Sequence, residues 1–208
     1  MDAEDQDDDL IVEGNKLARE MLEAVKRVEN SLGLKRPFLF GLSREDDWTL
    51  VIKLHALIEA AIEEVVVRRC FASAADNEGR DDAAIARLVG RMPFDGRVSK
   101  LSLVKAFRLL DEDHFEFVVT LAEVRNRYAH RPSNFAKSIR SLLGSNAEGK
   151  AKLQKLMLGG NMTATSEAEF DGGLKATMVI VTSGVLWALH FRSVPPASLS
   201  TSGVSGFL

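Results

Sequence analysis

The stretch FVVTLAEVRNRYAHRP, residues 117–132, decides how this chain folds. Phe117, Leu121, Val124 and Tyr128 recur every three or four residues, the spacing that lines one face of an α-helix. Pro132 pushes Arg131 out of helical geometry, and Asp111 or Asp113 supplies an N-cap, so a helix is predicted over about 112–130. Its last turns carry Arg125, Asn126 and His130. A guanidinium that never titrates, an amide and an imidazole that exchanges a proton near neutrality are suited to holding a phosphate and moving a proton. Carbonyls crowding a helix C-terminus favour the cationic imidazole. Positions five apart lie about 140° apart around a regular helix, so Arg125 and His130 do not share one face. Either the last turn is bent, or two chains complete one site.

Upstream, Trp48, Ile52, His55, Glu59, Ile62 and Val66 form one stripe of a long helix predicted over about 44–74, with Ser43 and Asp46 as its start signal. His55 and Glu59 are spaced as a pair on a partly buried face. A carboxylate inside a bundle needs a cation, and Arg125 is a candidate for it; a solvated pair with His55 is the alternative. Leu10–Leu32 is amphipathic and closed by Gly33, and Phe38, Leu39 and Phe40 form a loop tucked under the bundle. Shorter helices are predicted over 80–91, 97–110 and 134–143, followed by a polar stretch to Gly173. The apolar run ATMVIVTSGVLWALHF, residues 176–191, falls short of the roughly 20 residues that cross a bilayer and reads as a central buried helix. Strand-like alternation is missing from the sequence. The expected architecture is all-α, a single helical bundle with Leu54, Ile58, Phe117, Leu121, Val124, Val179 and Leu186 in its core.

The 208 residues sum to a formal charge of −3, but residues 1–10 hold six acids and no base, leaving +3 for the rest. From Val124 to Ala147 there are five bases (Arg125, Arg127, Arg131, Lys137 and Arg140) and no acid, a surface that attracts a polyanion. Arg127, Arg131, Lys137 and Arg140 are therefore expected to hold a polyanion such as RNA. The single cysteine, Cys70, excludes a disulfide framework and suits a reducing, cytoplasmic setting. Neither metal-ligand spacings such as His-x3-His nor a phosphate-binding glycine loop occurs, so no metal and no cofactor are expected. His114 reads as a capping residue and His190 as a core or edge residue. The organisation expected is an acidic arm over 1–9, a helical domain over 10–192 and a Ser-, Gly- and Pro-rich tail over 193–208.

The segment from Trp48 to His130, with LHALIEAAIEEVVVRR, FDGRVSKLSLVKAFRLLDEDHFE and the closing LAEVRNRYAH, resembles the HEPN superfamily, and within it most the proteins of the mannitol operon repressor type. The most specific element is the Arg-x4-His with Asn directly after the Arg. The resemblance implies an all-helical, HEPN-like bundle that forms a homodimer. It also implies a metal-independent endoribonuclease of toxin or defence type, leaving 2',3'-cyclic phosphate ends. Arg125, Asn126 and His130 would be catalytic at the dimer interface, with Glu59 orienting Arg125. The alternatives it carries are a non-catalytic regulator similar to the mannitol operon repressor, or an interaction subunit bound by an antitoxin-like partner. Where toxins paired with nucleotidyltransferase antitoxins often carry Tyr two positions after the His, this chain has Pro132.

Overall fold

Side-chain caps fix where most of the helices begin. After a short α1 (Phe38–Leu42), both Asp46 carboxylate oxygens engage Thr49, accepting its N–H at 2.9 Å and its hydroxyl at 2.6 Å, and α2 (Asp47–Ala72) starts there. Those bonds, the hydroxyl first, hold the Asp46 carboxyl below its ordinary range. The start signal thus comes from Asp46 rather than from Ser43. α3 (Asp82–Arg91) follows, then α4 (Lys100–Ala106), opened by a reciprocal capping box between Ser99 and Ser102. Asp111 caps α5 (Glu112–Ala129), the predicted motif helix, and pairs with the His114 ring at 2.8 Å. A 3-10 turn (Pro132–Asn134), α6 (Ile139–Leu143), α7 (Ala147–Leu156) and α8 (Glu167–Arg192) complete the computed structural model.

The structure describes residues 38–72, 82–158 and 166–192, with positions 23, 26, 29, 30, 33 and 34 before them. The acidic arm over 1–9, the tail over 193–208 and most of the helix expected over 10–32 lie outside the described residues. Gly33 does take the left-handed φ of +65° that its capping role requires, with the Leu34 N–H returning to the Glu29 carbonyl at 2.8 Å. Among the described residues all regular structure is helical.

α2 is the axis of the bundle. α8, α5, α3 and α4 all pack against it, and α7 covers α5. All seven expected core residues are at most 2 % exposed. α8 begins at Glu167, earlier than the apolar run suggested, and its stretch Ala168–His190 has the length and composition to cross a membrane, with half of its most apolar window buried inside the protein. His190 is exposed, the edge rather than the core alternative of its expected place.

Two differences shape the site. The helix expected over 134–143 is split, because Asn134 and Tyr128 bond the intervening chain back to α5, and a new helix opens at Ile139 on the Ser138 cap. The stretch expected to be merely polar contains α7, capped by Asn146 and seated through Leu153 and Leu156.

Candidate nucleic-acid interface

The end of α5 is built by the chain folding back on it. The Tyr128 hydroxyl donates to the Lys137 carbonyl at 2.8 Å, and the buried Asn134 amide donates to the Arg127 carbonyl at 2.8 Å. Burial, with the nearby Asp47 and Asp46 charges, pushes the Tyr128 hydroxyl well above its usual range, so it stays a donor. Asp47 then ties two distant elements to the start of α2. Its Oδ2 accepts the Ile139 N–H at 2.7 Å, and its Oδ1 pairs with Lys175 of α8 at 2.8 Å.

These bonds leave a hollow of about 450 Å³ lined by Asn126, Arg127, His130, Arg131, Asn134, Lys137 and Leu142. The lining holds three permanent cations and an imidazole and no carboxylate. His130 is the C-cap of α5 (φ −87°, ψ −9°); its N–H is used by the Asn126 carbonyl at 3.0 Å and its ring is exposed. Arg127 is fixed by a bond from Nη1 to the Leu142 carbonyl at 3.1 Å, whereas Arg131 and Lys137 are exposed. Glu148, at the start of α7, is held below the ordinary carboxylate range by its hydrogen bond and ion pair with Lys152, and it also feels Arg127.

Five of the eight residues expected from the sequence, Asn126, Arg127, His130, Arg131 and Lys137, therefore meet in one hollow. Arg125 does not line it. α5 is regular to Ala129, so Arg125 lies about 140° around it from His130, and its Nη1 donates to the neighbouring Asn126 Oδ1 at 3.0 Å. The Asn126 amide in turn reaches Asp95 at 3.5 Å, a long hydrogen bond. Asn126 is thus the link between Arg125 and the hollow. Arg140 lies elsewhere, its guanidinium 5.3 Å above the Phe170 ring.

Glu59 finds a cation, but it is Lys100. The Lys100 ammonium, only 4 % exposed, bonds Glu59 at 3.0 Å and Glu63 at 2.8 Å, while His55 Nδ1 lies 3.8 Å from Glu59. Burial drives the His55 pKa down, against the Glu59 and Asp95 charges and with those of Arg125 and Lys100. The Phe94 ring packs on the imidazole with centroids 4.5 Å apart. Sequence reasoning missed Lys100, Asp95 and Asn134. For Lys100 the only signal was the two acids one turn apart on α2, which call for a cation without saying where it comes from. Among the described residues no group of three or more His, Cys, Asp or Glu side chains converges as metal ligands would.

Comparison with protein-family models, with curated proteins and with solved structures gives no match.

Proposed function

We propose that this chain is a HEPN-type endoribonuclease that acts as a homodimer and cleaves RNA without a metal. The observation that carries the reading is the hollow at the end of α5, where an exposed imidazole stands among Arg127, Arg131 and Lys137 with no carboxylate in the lining. Such a lining attracts a phosphodiester and sets a proton-transfer group beside it. The divergence of Arg125 and His130 on a regular helix supports a site completed by a second copy.

In the proposed reaction a ribose 2'-oxygen attacks the adjacent phosphorus while one His130 takes the hydroxyl proton. The P–O5' bond breaks, and the partner copy's imidazolium protonates the leaving oxygen. The products are a 2',3'-cyclic phosphate and a 5'-hydroxyl. Arg125, held by Asn126 outside its own chain's hollow, reaches the phosphorus across the dimer and stabilises its charge. Incubating the purified protein with total RNA in EDTA tests this directly. Cleavage is expected from the wild type and not from His130→Ala, with 2',3'-cyclic ends on the fragments. Intact RNA, or equal cleavage by the variant, overturns the reading.

The engagement of Arg125 by Asn126 within one chain favours a second reading, a non-catalytic regulator that only holds nucleic acid or a protein partner. Salt-dependent RNA binding without cleavage in the same assay would select it.

A further inference from the structure

The Asn126 amide stands between two opposite charges. Its Oδ1 accepts from Arg125 Nη1 at 3.0 Å, and its Nδ2 donates to Asp95 Oδ2 at 3.5 Å. A guanidinium can only donate, and an ionised carboxylate can only accept. Turning the amide over would set its NH2 group against the guanidinium and its oxygen against the carboxylate, so the two charges together select one orientation. Without the carboxylate, only one end of the amide is held. Among the described residues Asn126 is the one hydrogen-bond partner of either side chain, Arg125 or Asp95.

Asp95 is presented by a braced loop. On one side of it the Lys100 and Leu101 N–H groups donate to the Pro93 and Phe94 carbonyls, at 3.0 and 3.1 Å, and the Phe94 ring lies on the buried His55 imidazole. On the other side Gly96 turns the chain with a φ of +114°, which glycine adopts without strain, and its carbonyl accepts the Ser99 hydroxyl at 2.9 Å. The loop is thus fixed at Pro93, Phe94 and Gly96, around the carboxylate that meets Asn126.

From this arrangement we infer that Asp95 is a positioning residue for Arg125, acting through the Asn126 amide. The inference rests on the proposed reaction, in which Arg125 meets the phosphate in the partner copy's hollow. An arginine side chain has many rotamers, and a charged group stabilises a transition state best when it is already in place. Asp95 supplies that placement without touching the reacting atoms. At 3.5 Å its bond to Asn126 is long, a length common where substrate binding is what tightens a site.

The test is a double-mutant cycle between Asp95→Ala and Asn126→Ala, read as RNA cleavage by the full-length protein in EDTA. Asp95→Ala alone should lower kcat about tenfold and leave KM within about twofold, because the group it places acts on the transition state and not on substrate binding. Added to Asn126→Ala, the same substitution should cost nothing further, since the link is already cut. An unchanged kcat, a change in KM alone, or an equal loss in both backgrounds, the mark of a merely structural residue, overturns the inference. A second measurement is independent of cleavage. In NMR spectra the Asn126 side-chain NH2 signals should move upfield and exchange faster with water in Asp95→Ala, as the carboxylate acceptor is lost. An Asn126 amide unmoved by the substitution overturns the link to Asp95 whatever the kinetics. A wild type that leaves RNA uncut, with the amide still shifted in the variant, refutes the nuclease and leaves Asp95 as the residue that positions Arg125.

Discussion

Two clusters of charged side chains flank α5, and they are finished in opposite ways. Toward α2 and α4, Lys100 is closed off between Glu59 and Glu63, with His55 beneath the Phe94 ring. Burial opposes the Lys100 ammonium, but the hydrogen bonds to Glu63 and Glu59 outweigh it and raise its pKa. At the C-terminal end of α5, Arg127, Arg131, Lys137 and His130 line a hollow that contributes no acid of its own. Similar residue types thus do two jobs. The cluster whose cation is paired within the chain ties helices together, and the one whose cations meet no carboxylate in their own lining is open to an anion from outside.

Removing the internal partners should have the largest effect. With Glu59→Ala and Glu63→Ala together, Lys100 is left as a buried, uncompensated cation, a situation that costs about 3 to 5 kcal/mol where a buried pair is broken. The expected loss is about 3 kcal/mol, at the low end because both carboxylates are about a third exposed and already partly hydrated. Urea unfolding checks it. A double variant within about 0.5 kcal/mol of wild type would show that this cluster is as dispensable as surface charge.

A smaller effect is expected where the open cluster is tethered. Tyr128→Phe removes the hydroxyl that holds the Lys137 carbonyl, and the loss of one such bond is worth about 1 kcal/mol. Because that bond shapes the rim of the hollow, RNA affinity should fall as well. Lower stability with unchanged RNA binding would separate the tether from the site.

Acid should expose the closed cluster through His55. Its folded pKa lies below the unfolded value of 6.5, burial being the main cause, so the folded state binds this proton more weakly than the unfolded chain. The stability tied to neutral His55 is therefore fully present above about pH 6.5 and is lost as pH falls through the folded pKa. Denaturation at stepped pH should show the wild type weakening below pH 6.5 more than His55→Gln does. Parallel profiles for the two proteins would remove His55 from the account.

Much of this could be read from the chain, and what could not has a physical cause. Phe117, Leu121, Val124, Leu54, Ile58, Val179 and Leu186 announce themselves because burial of one helix face imposes a local period, and all seven are buried. α7 did not, because it seats itself through only two leucines and a glycine, too few to make a stripe. The charge count over Val124–Ala147 identified the cations of the open hollow. It did not separate Arg140 from them, since the turn of α6 that sends Arg140 to the other side depends on Tyr128, Asn134 and Asp47. Lys100 and Glu59 are 41 residues apart, and no spacing rule connects them.

The smallest expected change in stability belongs to the open cluster, and it is paired with a clear change in binding. Arg131 and Lys137 are exposed, and their side chains line the hollow without closing it. Replacing either by Ala should leave stability within about 0.5 kcal/mol of wild type, as for surface positions generally. If each meets one RNA phosphate, each substitution should also make the salt dependence of RNA affinity shallower by about 0.7, with the double variant losing about twice that. Anisotropy titrations across a salt series read this slope without requiring cleavage. A destabilised Arg131→Ala would mean that the cations of the hollow, too, are paired from within. A stable variant with an unaltered slope would mean that the strand passes elsewhere, and the contrast between the two clusters would then be structural only.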